Sequence, residues 1–322
     1  MSGTSSADSP CVAPVTGASA GIGEATARPG LGVAQRVCLL RRFVPASGFD
    51  KSLRKQLGPQ AVHSNPRNTM KLTDNTILIT GGASGIGRGL AEAFHQRGNK
   101  VIIAGRRKAL LDEVAAAHPG MDAIELDVGD LSSVDAAART LIARYPSLNV
   151  LINNAGIMPF DNAADPIDDG VARNIIDTNL LGPIRLTSAL IEHLKCQPRA
   201  TIIHNTSILA YLPLAGSAVY SASKAALHSY AMSQRFMLSG TTVSVQEIAP
   251  PWVDTDLLGV RGDPRAMPLD AFIAETMTLL ESEQEELVVE AVRMIRANPG
   301  PNEHALFTAF NADLIANPPA HA

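Results

Sequence analysis

Tyr220 and Lys224, four residues apart in the stretch YSASK, are the pair whose types and spacing point most directly to chemistry. Four residues is about one helical turn, so a helix would set both on one face. A free tyrosine, with a pKa of about 10, does not ionise at neutral pH. An ammonium one turn away would stabilise the phenolate, because a nearby opposite charge shifts a pKa by about 1–3 units. The phenol could then exchange a proton with an oxygen whose carbon gains or loses hydride. Such a group contributes about 10²–10⁴-fold in rate. Ser207, closing the apolar run IIHNTS thirteen residues upstream of the tyrosine, could donate a hydrogen bond to the same oxygen. Each residue alone is ordinary: a serine ending a strand is usually a turn former. Their joint occurrence, in order, is what carries weight.

Elements that could position such a group follow from the pattern upstream. Two stretches fit the spacing TGxxxGxG, one from Thr16 and one from Thr80. A loop of this kind cradles phosphate only between a buried strand and a helix, whose free N–H groups and dipole face the anion. At the second copy NTILIT reads as the strand, Gly81, Gly85 and Gly87 form the loop, and IGRGLAEAFHQRG reads as the helix. KVIIAG follows as a second strand, completing a βαβ unit. At the first copy Pro10 and Pro14 precede the loop, and Pro29, Gly30 and Gly32 cut the helix short. That copy reads as a truncated duplicate inside an N-terminal extension, residues 1–69, expected to be disordered or loosely packed. Met70 would serve as the start of a self-sufficient protein. A second nucleotide half-site is the rival reading of the upstream copy.

From residue 75 strands and helices alternate, with strands AIELDV, NVLINNAG, ATIIHNTS and TVSVQEIAP and long helices near 170–194 and 219–238. Such alternation predicts an α/β fold, a doubly wound parallel sheet of Rossmann type in three αβα layers. Residues 256–297 form a helical, amphipathic segment after the sixth strand. It reads either as a flap with Met267, Phe272 and Met277 lining the site, or as helices packed for stability.

Taken together, TGxxxGxG, NNAG (Asn153–Gly156), Asn179 in DTNLLG, Ser207 and the Tyr220/Lys224 pair resemble the short-chain dehydrogenase/reductase family over about Lys71–Leu258. In finer detail the chain resembles its DltE-like branch of uncharacterised oxidoreductases. The resemblance implies a catalytic set of Asn179, Ser207, Tyr220 and Lys224, with Lys224 also gripping the nicotinamide ribose and Asn179 holding a water in a proton relay. It implies cofactor contacts at Gly81, Ser84, Gly85, Ile86 and Gly87, at Asp127 and Val128, and at Asn154, Ala155 and Gly156. Val253 and Thr255 would hold the carboxamide. There the chain departs from the family, because Pro251 stands where a glycine follows the first proline.

Cofactor choice rests on the end of the second strand. An acid about 20 residues past the loop would bind both ribose hydroxyls of NAD and repel a 2′-phosphate. Here IIAGRRK places Gly105 at that point, followed by Arg106 and Arg107. Guanidinium groups match a phosphate in charge and geometry, so NADP(H) is favoured and NAD(H) remains possible. The expected reaction interconverts an alcohol and a ketone or aldehyde; a non-catalytic dinucleotide-binding redox sensor is the alternative.

Composition sets outer limits. The 322 residues carry a net charge of −4, split between +5 over residues 1–69 and −9 over the rest. An acidic body gives no reason to expect nucleic-acid binding. No apolar run reaches the roughly 18 residues needed to span a bilayer, so no membrane partner is expected. Three scattered cysteines argue against a disulfide framework and for a reduced, cytoplasmic setting. None of the eight histidines stands four from another, so no metal site is expected. By resemblance the long helices would pair in a homodimer or homotetramer.

Overall fold

The computed structural model describes residues 70–259, 261–297 and 303–317. The extension 1–69, with the upstream glycine loop, and the extreme C-terminal residues 318–322 lie outside them. Five residues, Thr76–Thr80, form strand β1, and all five are buried. A run without polar alternation is what a strand covered on both faces requires. Helix α1 (Gly85–His95), β2 (Lys100–Gly105), α2 (Lys108–Ala117), β3 (Asp122–Glu125), α3 (Leu131–Arg144) and β4 (Leu148–Asn153) follow in alternation. Next come α4 (Asp169–Ile176), a π-helical turn (Asp177–Leu181), α5 (Gly182–Lys195), β5 (Ala200–Asn205), α6 (Ala218–Leu238) and β6 (Val243–Ile248). The last described elements are α7 (Leu269–Leu280), β7 (Glu286–Leu287), the short α8 (Arg293–Arg296) and α9 (Glu303–Ala316).

The strands form one sheet in the order β3-β2-β1-β4-β5-β6-β7, parallel at every pairing. Period-two alternation sends Ile77 and Ile79 to one face and Leu78 to the other, and each face has its own core. Leu90 and Phe94 of α1 cover the first face with Phe272 and Met277 of α7. Val134 and Leu141 of α3 cover the second with Leu186, Leu190 and Leu194 of α5. The strand order reverses between β1 and β4. In such sheets the ligand crevice opens there, beyond the carboxyl ends of the strands.

The segment 256–297 does more than cover a cleft. Helix α7 lies against α1 so closely that a Cβ on Gly89 would come within 2.8 Å of Ile273. Phe272 and Met277 are buried in that contact; of the three residues expected to line the site, Met267 does so. The two residues of β7 extend the sheet by pairing with Glu247 and Ile248.

Candidate active site

A cleft of about 1470 Å³ opens over the carboxyl ends of the central strands. Pockets for a single ligand run to about 300–1,000 Å³, so this one has room for two. One end is the glycine loop. Gly81 and Gly85 take positive φ, 66° and 53°, which side-chain-bearing residues resist. Gly87 sits beneath the loop, where a Cβ would come within 2.3 Å of the Gly81 carbonyl oxygen and 2.4 Å of Asn154 Nδ2. Ser84 is the N-cap of α1 but makes no capping bond; its Oγ instead accepts from Arg107 Nη2 at 2.7 Å. The first N–H groups of α1 therefore keep no side-chain cap and remain available to an anion. Arg106, exposed beside Arg107, has no side-chain partner among the described residues.

Thr80 braces the loop from below. Its Oγ1 accepts from the backbone N–H groups of Asn154 and Ala155, each at 3.0 Å. Asn154 Nδ2 donates to the Thr80 carbonyl at 2.9 Å, and its Oδ1 accepts from Asn205 Nδ2 at 2.7 Å. These ties lock β1, β4 and β5 together at the cleft floor. Asp127 and Val128 lie at its edge, and Asp127 Oδ1 holds the Gly129 N–H at 2.9 Å.

The opposite side carries the proton chemistry. Tyr220 and Lys224 leave α6 on one face, both lining the cleft, at 6% and 4% exposure. Ser207 follows β5 and lines the cleft with Tyr220, near enough to pull on the phenol's proton. The Ser207 Oγ also accepts from the Leu209 N–H at 3.1 Å, capping a short 3₁₀ turn that fixes its direction. Lys224 Nζ donates to the Asn205 carbonyl at 2.7 Å and stands 5.6 Å from the centre of the Tyr220 ring. Burial pushes the Tyr220 phenol up to about 12, against the opposing pull of nearby Ser207. Burial likewise draws Lys224 down to about 8. Burial thus moves the phenol opposite to the acidification expected from the ammonium, which is aimed at the Asn205 carbonyl.

Asn179 and Gly87 sit behind the cleft, unlike the other site residues named from the sequence. The π turn, closed by the Gly182 N–H on the Asp177 carbonyl, sits between α4 and α5 and carries Asn179, which is fully buried. π turns are rare and often mark functional positions. Asn179 Oδ1 accepts from the Ile157 N–H and its Nδ2 donates to the Ile157 carbonyl, both at 2.9 Å. A further bond to Ser223 Oγ, at 3.2 Å, ties this clamp to α6. The side chain thus fixes the chain that follows Gly156. Beyond β6, Pro250 accepts from the Ile208 N–H at 2.9 Å, and Val253 pairs as an isolated bridge with Met267. That pairing holds the segment extended without an N–H at Pro251. Val253 and Thr255 both face the cleft.

The family model described as short chain dehydrogenase matches residues 75–265. The chain is 37% identical to the uncharacterised oxidoreductase DltE of Bacillus subtilis, over 75% of this chain and 98% of that protein. The chain belongs to the short-chain dehydrogenase family. It is a nicotinamide-dinucleotide-dependent oxidoreductase acting on CH–OH groups. A family member named sulfoacetaldehyde reductase 2, from Chromohalobacter salexigens, is 32% identical over 66% of this chain and 86% of its own. A short-chain dehydrogenase of Burkholderia cenocepacia solved with NADP superposes with a TM-score of 0.67 at 27% identity, covering 74% of this chain and 98% of that one. A 3-ketoacyl-(acyl-carrier-protein) reductase of Brucella melitensis, solved with NADH, gives 0.61 at 27% identity, covering 65% and 92%.

The residues present fit a dinucleotide. The uncapped N-terminus of α1, the glycine cradle and the buried, unpartnered Asn205 Oδ1 at the cleft are what such a cofactor would use. Thr80 and Asn205 are not among the site residues named from the sequence, although each lies within a motif quoted there. A second polar cluster sits further along α6. Glu247, fully buried, accepts from His228 Nδ1 at 2.8 Å and Arg235 Nη2 at 3.0 Å. Glu286 is held by Arg296 at 2.5 and 3.0 Å. His228, Glu247 and Glu286 come within metal-ligand distance of one another, but arginines already neutralise both carboxylates. His204, buried against Gln234 Oε1 at 2.9 Å, is drawn below its ordinary range by that burial. No helix among the described residues is long and apolar enough to cross a membrane.

Proposed function

We propose that the protein is an NADP(H)-dependent reductase/dehydrogenase that interconverts an alcohol and a ketone or aldehyde, with Tyr220 as the proton donor and acceptor. The observation that carries this reading is that Ser207, Tyr220 and Lys224 line one cleft whose other end is the glycine loop. Bound there, the nicotinamide supplies or accepts the hydride. Tyr220, protonated at neutral pH, gives its proton to the carbonyl oxygen as carbon gains hydride, and takes it back in oxidation. Ser207 donates to the same oxygen and polarises the carbonyl. Lys224, anchored on Asn205, presents its positive charge to the phenolate left behind and to a ribose hydroxyl. Asn179 fixes Ile157 and the Gly156 turn beside them.

Arg106 and Arg107 support the phosphorylated cofactor, since they set two cations at the mouth of the loop where an acid would otherwise stand. The loop at Gly81–Gly87 is the one that binds, so deleting residues 1–69 leaves turnover and cofactor affinity unchanged. The exposed Met232, Phe236 and Met237 of α6 support a homodimer or homotetramer, and the free, exposed Cys196 fits a reducing cytoplasm. Fluorescence titration with NADPH and NADH, followed by a carbonyl panel, tests the function. Tighter binding of NADH would overturn the cofactor choice, and no turnover with either would overturn the reaction.

A further inference from the structure

We propose that the substrate is an uncharged carbonyl compound with an apolar body, and that Asp263 sets this choice by holding Arg265 out of play. The proposal rests on the reading of the cleft just given and narrows it to a substrate class. Around Ser207 and Tyr220 the wall is apolar: Met158, Phe160, Leu209, Trp252, Met267 and Phe310 face the space. Helix α9 closes one side, pinned by Asn311, which accepts from the Ala215 N–H at 2.5 Å and donates to the Pro213 carbonyl at 3.1 Å.

An anionic substrate would need a counter-charge here, because burying an unpaired carboxylate or sulfonate is costly. Arg265 is the arginine that reaches this wall. Its Nε and Nη2 are spent on the two oxygens of Asp263, at 3.0 and 2.8 Å, and its Nη1 on the Asn317 carbonyl, at 2.7 Å. The guanidinium lies 5.2 Å over the Trp252 ring, so its plane is occupied as well. The acids of the wall are equally engaged. Asp161 caps α6 through the Ala218 and Val219 N–H groups, at 2.7 and 2.9 Å. Asp256 is chelated by Arg261 at 2.5 and 2.9 Å. Among the described lining residues, Arg106 and Arg107 belong to the glycine loop and Lys224 to Asn205 and the tyrosine. The substrate end therefore offers no uncommitted cation.

Matched pairs test this with the full chain and NADPH: benzaldehyde against its para-carboxylate, and hexanal against the same aldehyde with a terminal carboxylate. The neutral member of each pair is expected to have a kcat/KM at least about 100-fold higher. Equal or better turnover of the anionic members overturns the substrate class while leaving the oxidoreductase reading intact. Turnover of none of them, with either cofactor, overturns both. Asp263→Asn removes the charge that neutralises Arg265 and should narrow the gap about tenfold, by raising anionic turnover alone. Should that variant melt early, the double variant Asp263→Asn/Arg265→Gln, which removes both charges, serves instead: the neutral-to-anionic ratio must stay unchanged. A loss of anionic turnover in the double variant would show the guanidinium already serving substrates and overturn the proposal.

Discussion

Helix α6 carries two buried polar clusters, and they are built on opposite principles. In its first half Tyr220 and Lys224 sit at the cleft without a carboxylate between them. Burial moves each toward the form that carries no charge, the phenol up to about 12 and the ammonium down to about 8. In its second half His228 and Arg235 close on Glu247, and every oxygen of that fully buried carboxylate has a partner. The first cluster leaves its capacity open toward the cleft, as a site must if a ligand is to complete it. The second is self-sufficient and fastens α6 to β6, with Tyr211, whose hydroxyl lies 3.4 Å from Glu286 Oε2, and Arg296 joining from neighbouring segments. One helix thus separates reactivity from attachment along its length.

The difference is sharpest when one atom is removed from each half. Tyr220→Phe should lower kcat by about 10²–10⁴-fold with the cofactor dissociation constant and melting temperature nearly unchanged. Steady-state kinetics with NADPH beside a thermal melt reads both. Retained turnover would move the proton donor elsewhere. Glu247→Ala should do the reverse. Breaking a buried ion pair from one side costs about 3–5 kcal/mol, visible in urea unfolding, while kcat per folded molecule holds. A variant of normal stability but low activity would mean the second cluster reaches into catalysis.

These two halves were not equally legible from sequence. The spacing of Tyr220 and Lys224 is local, and a helix converts four residues of separation into a shared face. The glycine loop is local as well, and its steric demands are written in residue types. Glu247 is different: nothing in SVQEI marks it as a buried anchor, and its two partners, Arg235 and His228, lie twelve and 19 residues away in the chain. Strand β7 was hidden for a related reason. Two residues in a glutamate-rich stretch, Glu286 and Leu287, pair with β6 only because α7 has turned the chain back onto the sheet. Helix α7 is amphipathic, with Phe272, Ile273, Met277 and Leu280 buried, so its pattern fits a flap and a core helix alike until α1 is seen beneath it. The rise in the tyrosine's pKa was out of reach for the same reason, since it depends on burial.

The open half also has a pH signature. Below pH 8 Lys224 is protonated folded and unfolded, and the cost of burying its charge is fully present. As pH rises past about 8 the folded state releases that proton, while the unfolded chain keeps it to about 10.5. Stability relative to Lys224→Met should therefore increase with pH, by about 2 kcal/mol between pH 8 and 10. Above pH 10 Tyr220 works in the opposite sense, because the unfolded phenol ionises before the folded one. Urea unfolding at several pH values compares the two proteins, and a flat difference would mean water reaches the ammonium.

The smallest effect is expected at the far end of the cleft, where the same contrast recurs between neighbouring arginines. Arg107 is committed to Ser84 Oγ, whereas Arg106 has its guanidinium unspent. Removing the unspent group should cost only the ligand it waits for. Arg106→Ala should weaken NADPH about tenfold, equivalent to about 1.4 kcal/mol, and leave NADH unchanged. Because both arginines are exposed, salt should erode that preference. Arg107→Ala should weaken both cofactors, since it frees Ser84 at the entrance of α1 and loosens a loop that either one must fill. Fluorescence titration of the two variants at low and high salt separates a phosphate contact from a brace. If Arg106→Ala lowers NADH affinity as much as NADPH affinity, its guanidinium stacks on the adenine that the two cofactors share, and the argument from unspent donors fails at this position.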